Sequence, residues 1–147
     1  MTGVYRGKPA YMAPEYISGS HYDHRFDQFS LGVIFWELIC NKKLFTGKNY
    51  IDVLKKINQC EVPLPRFHNE EIPHELQEVV LKMLNKNPRK RYNSLQKAVE
   101  ELFKILHTMD ENYSVEKFKN YIANYFKSEI IWEKAKIKSL IEKNTRI

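Results

Sequence analysis

The run Phe26-Asp27-Gln28-Phe29-Ser30-Leu31-Gly32-Val33-Ile34-Phe35-Trp36-Glu37-Leu38-Ile39-Cys40 constrains this chain more than any other stretch. It has the length and period of a helix beginning near Arg25 and is apolar nearly all round. A helix without a wet face belongs in the middle of a fold, wrapped by other elements. With Glu37 inside it, the apolar part is too short to span a bilayer. Gly32 sits in its interior, at a cost of about 1 kcal/mol against alanine, and allows a close backbone approach there.

The rest of the sequence supplies candidates for the wrapping. Residues 1 to 24 read as a loop, punctuated by Gly3, Gly7, Pro9, Pro14 and Gly19. After a turn over 41–48, with Leu44 and Phe45 as a hydrophobic plug, an amphipathic helix is expected over about 49–59. Ile51, Val53, Leu54 and Ile57 form its apolar side. Pro63, Pro65 and Pro73 mark an extended connector. Further helices are expected over about 74–84 and 94–107, parted by the Asn87-Pro88 turn. Two more amphipathic stretches, 114–126 and 129–143, read as a helical extension. The chain has 5 Gly, 6 Pro, 43% apolar residues and few alternating apolar/polar runs, which favours a helix-rich fold with a real core.

Three short motifs then fall in order. Gly7-Lys8-Pro9-Ala10-Tyr11-Met12-Ala13-Pro14-Glu15 resembles the end of a protein kinase activation segment, closing on Ala-Pro-Glu. Twelve residues after Glu15, Asp27-Gln28-Phe29-Ser30-Leu31-Gly32 resembles the Asp-x-aromatic-Ser-x-Gly start of the large central helix in kinases. Asn87-Pro88-Arg89-Lys90-Arg91-Tyr92 resembles the turn that carries the family's late arginine. The resemblance covers about residues 1–108 and has a bacterial serine/threonine-kinase flavour. It implies a mainly α fold: an incomplete helical C-lobe (1–108) followed by a helical extension (109–147). The extension is similar to one that follows the kinase domain in some bacterial relatives.

The resemblance assigns roles residue by residue. Glu15 and Arg91 would form an ion pair tying the loop to the helical body. Asp27 would accept backbone hydrogen bonds from a catalytic loop; equally, an aspartate there is a helix cap or dipole partner. Gly32 serves close packing, and Ile34 and Leu38 would belong to an apolar column reaching towards an adenine pocket. Lys8, Pro9 and Tyr11 would line the loop on which a peptide substrate lies. Tyr11 would pack near Glu37, a position many kinases use to meet basic side chains. Lys8 stands where a threonine is commonest, which weakens the case for ordinary activity. Thr2 and Tyr5 fall where activation-segment phosphorylation occurs, although any exposed Thr or Tyr in a loop looks the same.

The sequence also lacks what the family's chemistry needs. It contains no glycine-rich phosphate loop, no His-Arg-Asp and no Asp-Phe-Gly; His24-Arg25 is followed by Phe26. The sequence reading is of a kinase cut within the activation segment, with no catalytic residue, no metal ligand and no cofactor of its own. ATP and Mg would belong to the full-length family member. Alone, the chain is expected to be inactive and, with one flank of the central helix uncovered, dynamic or prone to aggregate. The expected partners are a protein substrate, a partner kinase, or the N-terminal part of the kinase. The alternative is a non-catalytic docking module. The net charge of +6, from 24 basic and 18 acidic residues, has no aromatic-and-basic platform beside it, so no nucleic-acid partner is implied. Cys40 and Cys60 read as buried free thiols of a cytoplasmic protein.

Overall fold

The computed structural model describes residues 9–144, and all of its regular structure there is helical. Seven α-helices follow in order: α1 (Pro14–Ile17), α2 (Arg25–Cys40), α3 (Tyr50–Gln59), α4 (His74–Met83), α5 (Leu95–Met109), α6 (Val115–Tyr125) and α7 (Lys127–Asn144). Single 3-10 turns occupy Pro9–Tyr11, Pro65–Phe67 and Pro88–Lys90. The chain divides into two compact units between Ile105 and Leu106, within the last turns of α5.

Local chemistry sets most of the helix ends. Pro14 occupies the first position of α1, where its missing N–H costs nothing. α2 stops at Asn41, which adopts a left-handed conformation (φ 49°) and returns its N–H to the Glu37 carbonyl. α3 begins where the Asn49 side chain accepts from the Asp52 N–H at 2.9 Å. Ser114 caps α6 in the same way through the Lys117 N–H.

The core of the first unit forms around α2. Phe29, Val33, Trp36 and Cys40 are buried with Ala13, Phe45, Ile57, Val80 and Leu84. A second cluster joins Val79 and Met83 to Tyr92 and Ala98. α2 packs on α4, and Gly32 lies tight against its C-terminal end: a Cβ there would lie 3.0 Å from Leu84 Cγ and 3.1 Å from Met83 Cβ. The Trp36 indole donates to the Pro63 carbonyl at 2.8 Å, pinning the proline connector to the helix.

Three details differ from the sequence reading. Residues 9–24 hold a 3-10 turn and the short helix α1 instead of a plain loop. The connector folds into a 3-10 turn at Pro65–Phe67, where the Gln77 and Arg66 side chains meet its backbone: the Gln77 oxygen accepts from the Arg66 N–H at 3.2 Å, and Arg66 donates to the Ile72 carbonyl at 2.7 Å. Ile51 lies in the first turn of α3 and is 62% exposed, because only the Ile57 end of that apolar stripe enters the core.

α2 is not wrapped evenly. Ile34 and Leu38 are 43% and 71% exposed, while Phe29 and Val33 are fully buried. In the second unit α6 packs on α7, yet Phe118, Tyr121, Tyr125, Trp132, Ile137 and Leu140 all remain exposed. None of the described helices is long and apolar enough to cross a membrane.

Candidate functional site: a docked loop and a carboxylate at its rim

The segment that carries the site, residues 9–17, is a single 3-10 turn followed by the four-residue helix α1, and so short a piece needs anchoring from outside itself. Two side chains hold it on the helical body. The Ser30 hydroxyl, in α2, donates to the Tyr11 carbonyl at 2.6 Å. Glu15, in α1, meets Arg91 in a two-pronged ion pair: Arg91 Nη1 donates to Oε1 at 2.6 Å and Nη2 to Oε2 at 2.8 Å.

Arg91 is held as well as holding. Its side chain is fully buried, and its remaining donors reach the carbonyls of Asn85 (2.8 Å) and Arg25 (2.9 Å). Its guanidinium lies over the Phe29 ring, 5.0 Å from the centroid. A planar fork with five N–H donors suits such a place, where a lysine would leave carbonyls and one carboxylate oxygen without donors. Next door, Gln28 is buried and donates to the Tyr92 carbonyl at 2.9 Å, fixing the turn that presents Arg91.

At the other end of the loop, Tyr11 meets Glu37 and Lys43. The Tyr11 hydroxyl donates to Glu37 Oε2 at 3.0 Å, and Lys43 Nζ donates to the same oxygen at 2.7 Å and to the Tyr11 hydroxyl at 2.9 Å. The Leu44 N–H donates to Glu37 Oε1 at 3.2 Å. Burial pushes the Glu37 carboxyl upward, but the hydrogen bonds from Lys43, Leu44 and Tyr11 outweigh it and hold the group below its ordinary range. The Glu37 hydrogen bond, with a smaller share from Tyr11, raises the Lys43 ammonium above the ordinary lysine value. These three residues line an open depression of about 540 Å3 with Ile34, Leu38, Asn41 and Lys42.

The structure therefore brings together Glu15 with Arg91, and Tyr11 with Glu37. It places Pro9 in the 3-10 turn that carries Tyr11 and packs against α2 and α3, and Gly32 against Met83 and Leu84. Asp27 lies exposed in the first turn of α2, where a carboxylate complements the helix dipole, and has no side-chain partner among the described residues. Lys8, Thr2 and Tyr5 lie outside the described residues. Sequence reasoning missed Ser30 as the loop's second anchor and Lys43 as the partner of Glu37. Ser30 was legible as a hydroxyl one turn beyond Phe26. Lys43 was not, because the contact depends on how the chain turns back after Asn41.

No three His, Cys, Asp or Glu side chains among the described residues stand close enough to share a metal ion. The sequence holds no Gly-x-Gly-x-x-Gly run. The arrangement holds a loop and offers a polar rim.

The comparisons with known proteins fit this geometry. The model of the protein kinase domain matches residues 2–106. A tyrosine-protein kinase of Myxococcus xanthus, MasK, is 30% identical over 139 residues, covering 95% of this chain and 22% of its own length. A probable serine/threonine-protein kinase of Clostridium perfringens is 30% identical over 105 residues, covering 71% of this chain and 15% of its own length. The chain thus spans about a fifth or less of the length of these relatives. Among solved structures, the twitchin kinase region from C. elegans superposes with a TM-score of 0.58 at 23% identity, covering 63% of this chain and 16% of that one, a likeness of fold. The helical body, with its loop fastened by Glu15 and Arg91, belongs to the protein kinase domain family.

Proposed function

We propose that this chain is the substrate-holding part of a cytoplasmic serine/threonine protein kinase, and that it transfers no phosphate by itself. The observation that carries the reading is the loop 9–17, fastened at one end by the buried Glu15–Arg91 pair and at the other by Ser30. A fastened loop beside an open depression is a surface for laying down a peptide, with Tyr11 and Glu37 lining it and Lys8 and Pro9 just before Tyr11 in sequence. Phosphoryl transfer is mostly positioning and charge neutralisation around metal-bound phosphate. In this proposal the nucleotide, its Mg and the catalytic base belong to kinase residues outside these 147. Those residues would also cover Ile34 and Leu38, whose exposure on the central helix of the core marks an unfilled apolar contact. Thr2 and Tyr5 are proposed sites of activating phosphorylation.

The test is to join the chain to an N-terminal kinase portion carrying the glycine-rich loop, His-Arg-Asp and Asp-Phe-Gly, taken from the Clostridium relative. The chimera is expected to phosphorylate protein serine or threonine, while the 147-residue chain alone neither binds Mg-ATP nor transfers phosphate. Transfer by the isolated chain would refute the division of labour. A folded, ATP-binding chimera that phosphorylates nothing would favour a second reading, a docking module that only captures a protein partner. The exposed Ile34, Leu38 and Tyr11–Lys43 depression suit that reading too.

A further inference from the structure

The carboxylate at the rim is already occupied. Glu37 is the residue expected to meet a basic side chain of a substrate, yet both of its oxygens already accept hydrogen bonds from within the chain, three in all. Oε2 receives Lys43 and Tyr11, and Oε1 receives the Leu44 N–H. Its side chain is 11% exposed, whereas that of Lys43 is 65% exposed. What solvent meets at this spot is the ammonium.

An ammonium has three N–H donors. Two of those of Lys43 go to Glu37 and the Tyr11 hydroxyl, leaving one directed outward. The neighbouring Lys42 adds a second positive charge on the same depression, its Nζ 3.1 Å from His68 Nδ1. One carboxylate against two ammoniums leaves the lining net positive. An arriving arginine or lysine would have to displace Lys43 from a 2.7 Å contact and would then stand beside the displaced charge. An arriving aspartate or glutamate would meet an unused donor and lose nothing.

We infer that Lys43 is a specificity residue: by sitting on Glu37 it turns the subsite beside Tyr11 from one for basic side chains into one that takes an acidic side chain of the substrate peptide. The inference rests on the proposed peptide-holding role of this surface. It reverses the selectivity expected from Glu37 alone, and it does so through a residue that follows α2 in sequence. Specificity arises here from repulsion of the wrong charge as much as from attraction of the right one.

The experiment uses the full 147-residue chain and short serine peptides identical except for aspartate, alanine or arginine around the serine. Binding is followed by the backbone amide shifts of Tyr11, Lys43 and Leu44. The aspartate peptide is expected to bind roughly fivefold tighter than the arginine peptide, the scale of one exposed charge contact. Lys43→Ala should reverse the order, and Lys43→Ala with Glu37→Gln should abolish any preference. Lys55→Ala, a charge change away from the depression, should leave the order intact and so exclude a general effect of the net positive charge. Equal or tighter binding of the arginine peptide to the wild type overturns the inference, as does an unchanged order in Lys43→Ala or no binding of any peptide. Failure of the kinase reading shows elsewhere: selective peptide binding here with a chimera that never transfers phosphate sinks that reading and leaves the subsite standing.

Discussion

Two glutamates hold the same loop region, and they do opposite things. Glu15 is buried against a fully buried Arg91, with both oxygens matched by one guanidinium fork. Glu37 lies at the rim, with its oxygens divided among a mostly exposed lysine, a tyrosine hydroxyl and a backbone N–H. The first pair is sealed from water and competitors, so it can only be a structural fastening. The second is shared among small donors, one of which faces solvent, so it can exchange partners. Burial, not charge, separates anchor from selector here.

The largest expected effect comes from breaking the buried side. Arg91→Ala strands the Glu15 carboxylate and removes donors from the Asn85 and Arg25 carbonyls. It should destabilise the first unit by about 3–5 kcal/mol, read as a lowered urea midpoint with an unchanged slope. Replacing both partners with apolar residues, Glu15→Leu with Arg91→Met, should cost less than Arg91→Ala alone, because no unpaired charge is left inside. A double variant as damaged as the sum of the single ones would show that the two residues act independently, and the contrast with the rim would lose its basis.

That anchor was legible in the sequence; of the rim, the approach of Tyr11 to Glu37 was legible and the part of Lys43 was not. Ala13-Pro14-Glu15 and Asn87-Pro88-Arg89-Lys90-Arg91 are local patterns, and the resemblance supplied their long-range pairing. Helix positions were legible for a similar reason: Asn49, Ser114 and the prolines are end signals read one residue at a time. The α1 turn was missed because the glycines and prolines around it mask four helical residues as loop. Ile51 was misplaced because periodicity gives the apolar stripe of α3 but not how far along the core reaches. Lys43 escaped because a left-handed Asn41 reverses the chain and returns Lys43, six positions after Glu37, to the helix it has just left.

A smaller effect is expected on the packed face of α2, between the two glutamates. Gly32→Ala gains helix propensity of about 1 kcal/mol. Against that, its Cβ would lie 3.0 to 3.2 Å from Leu84 and Met83, both essentially fully buried and unable to yield freely. Overpacking of this kind costs about 1–3 kcal/mol, so the net change should be destabilising by roughly 1 kcal/mol. Gly32→Val should lose more, since it adds bulk without the same propensity gain. A stabilised alanine variant would mean that α4 retreats easily, and that the buried side is less rigid than the comparison requires.

The smallest effect on stability, and the sharpest test of the rim, is in pH. Glu37 is held below its ordinary carboxyl value, so it adds stability that is fully present above the unfolded value near 4.5 and fades as pH falls through the lower folded value. Lys43 is held above its ordinary value, so it adds stability that is present below the unfolded value near 10.5 and fades as pH rises through the higher folded one. The two limbs share one contact, so each should shrink when either partner is removed, while the Leu44 N–H and Tyr11 hydroxyl preserve part of the acid limb in Lys43→Ala. Glu37→Gln should therefore flatten the alkaline limb as well as the acid one, with little change in the urea midpoint at neutral pH for Lys43→Ala, whose side chain is mostly in water. Stability measured against pH for wild type, Glu37→Gln and Lys43→Ala distinguishes the cases. If Glu37→Gln keeps the wild-type alkaline limb, then Lys43 is not resting on Glu37 in solution, and the carboxylate is open to a basic substrate after all.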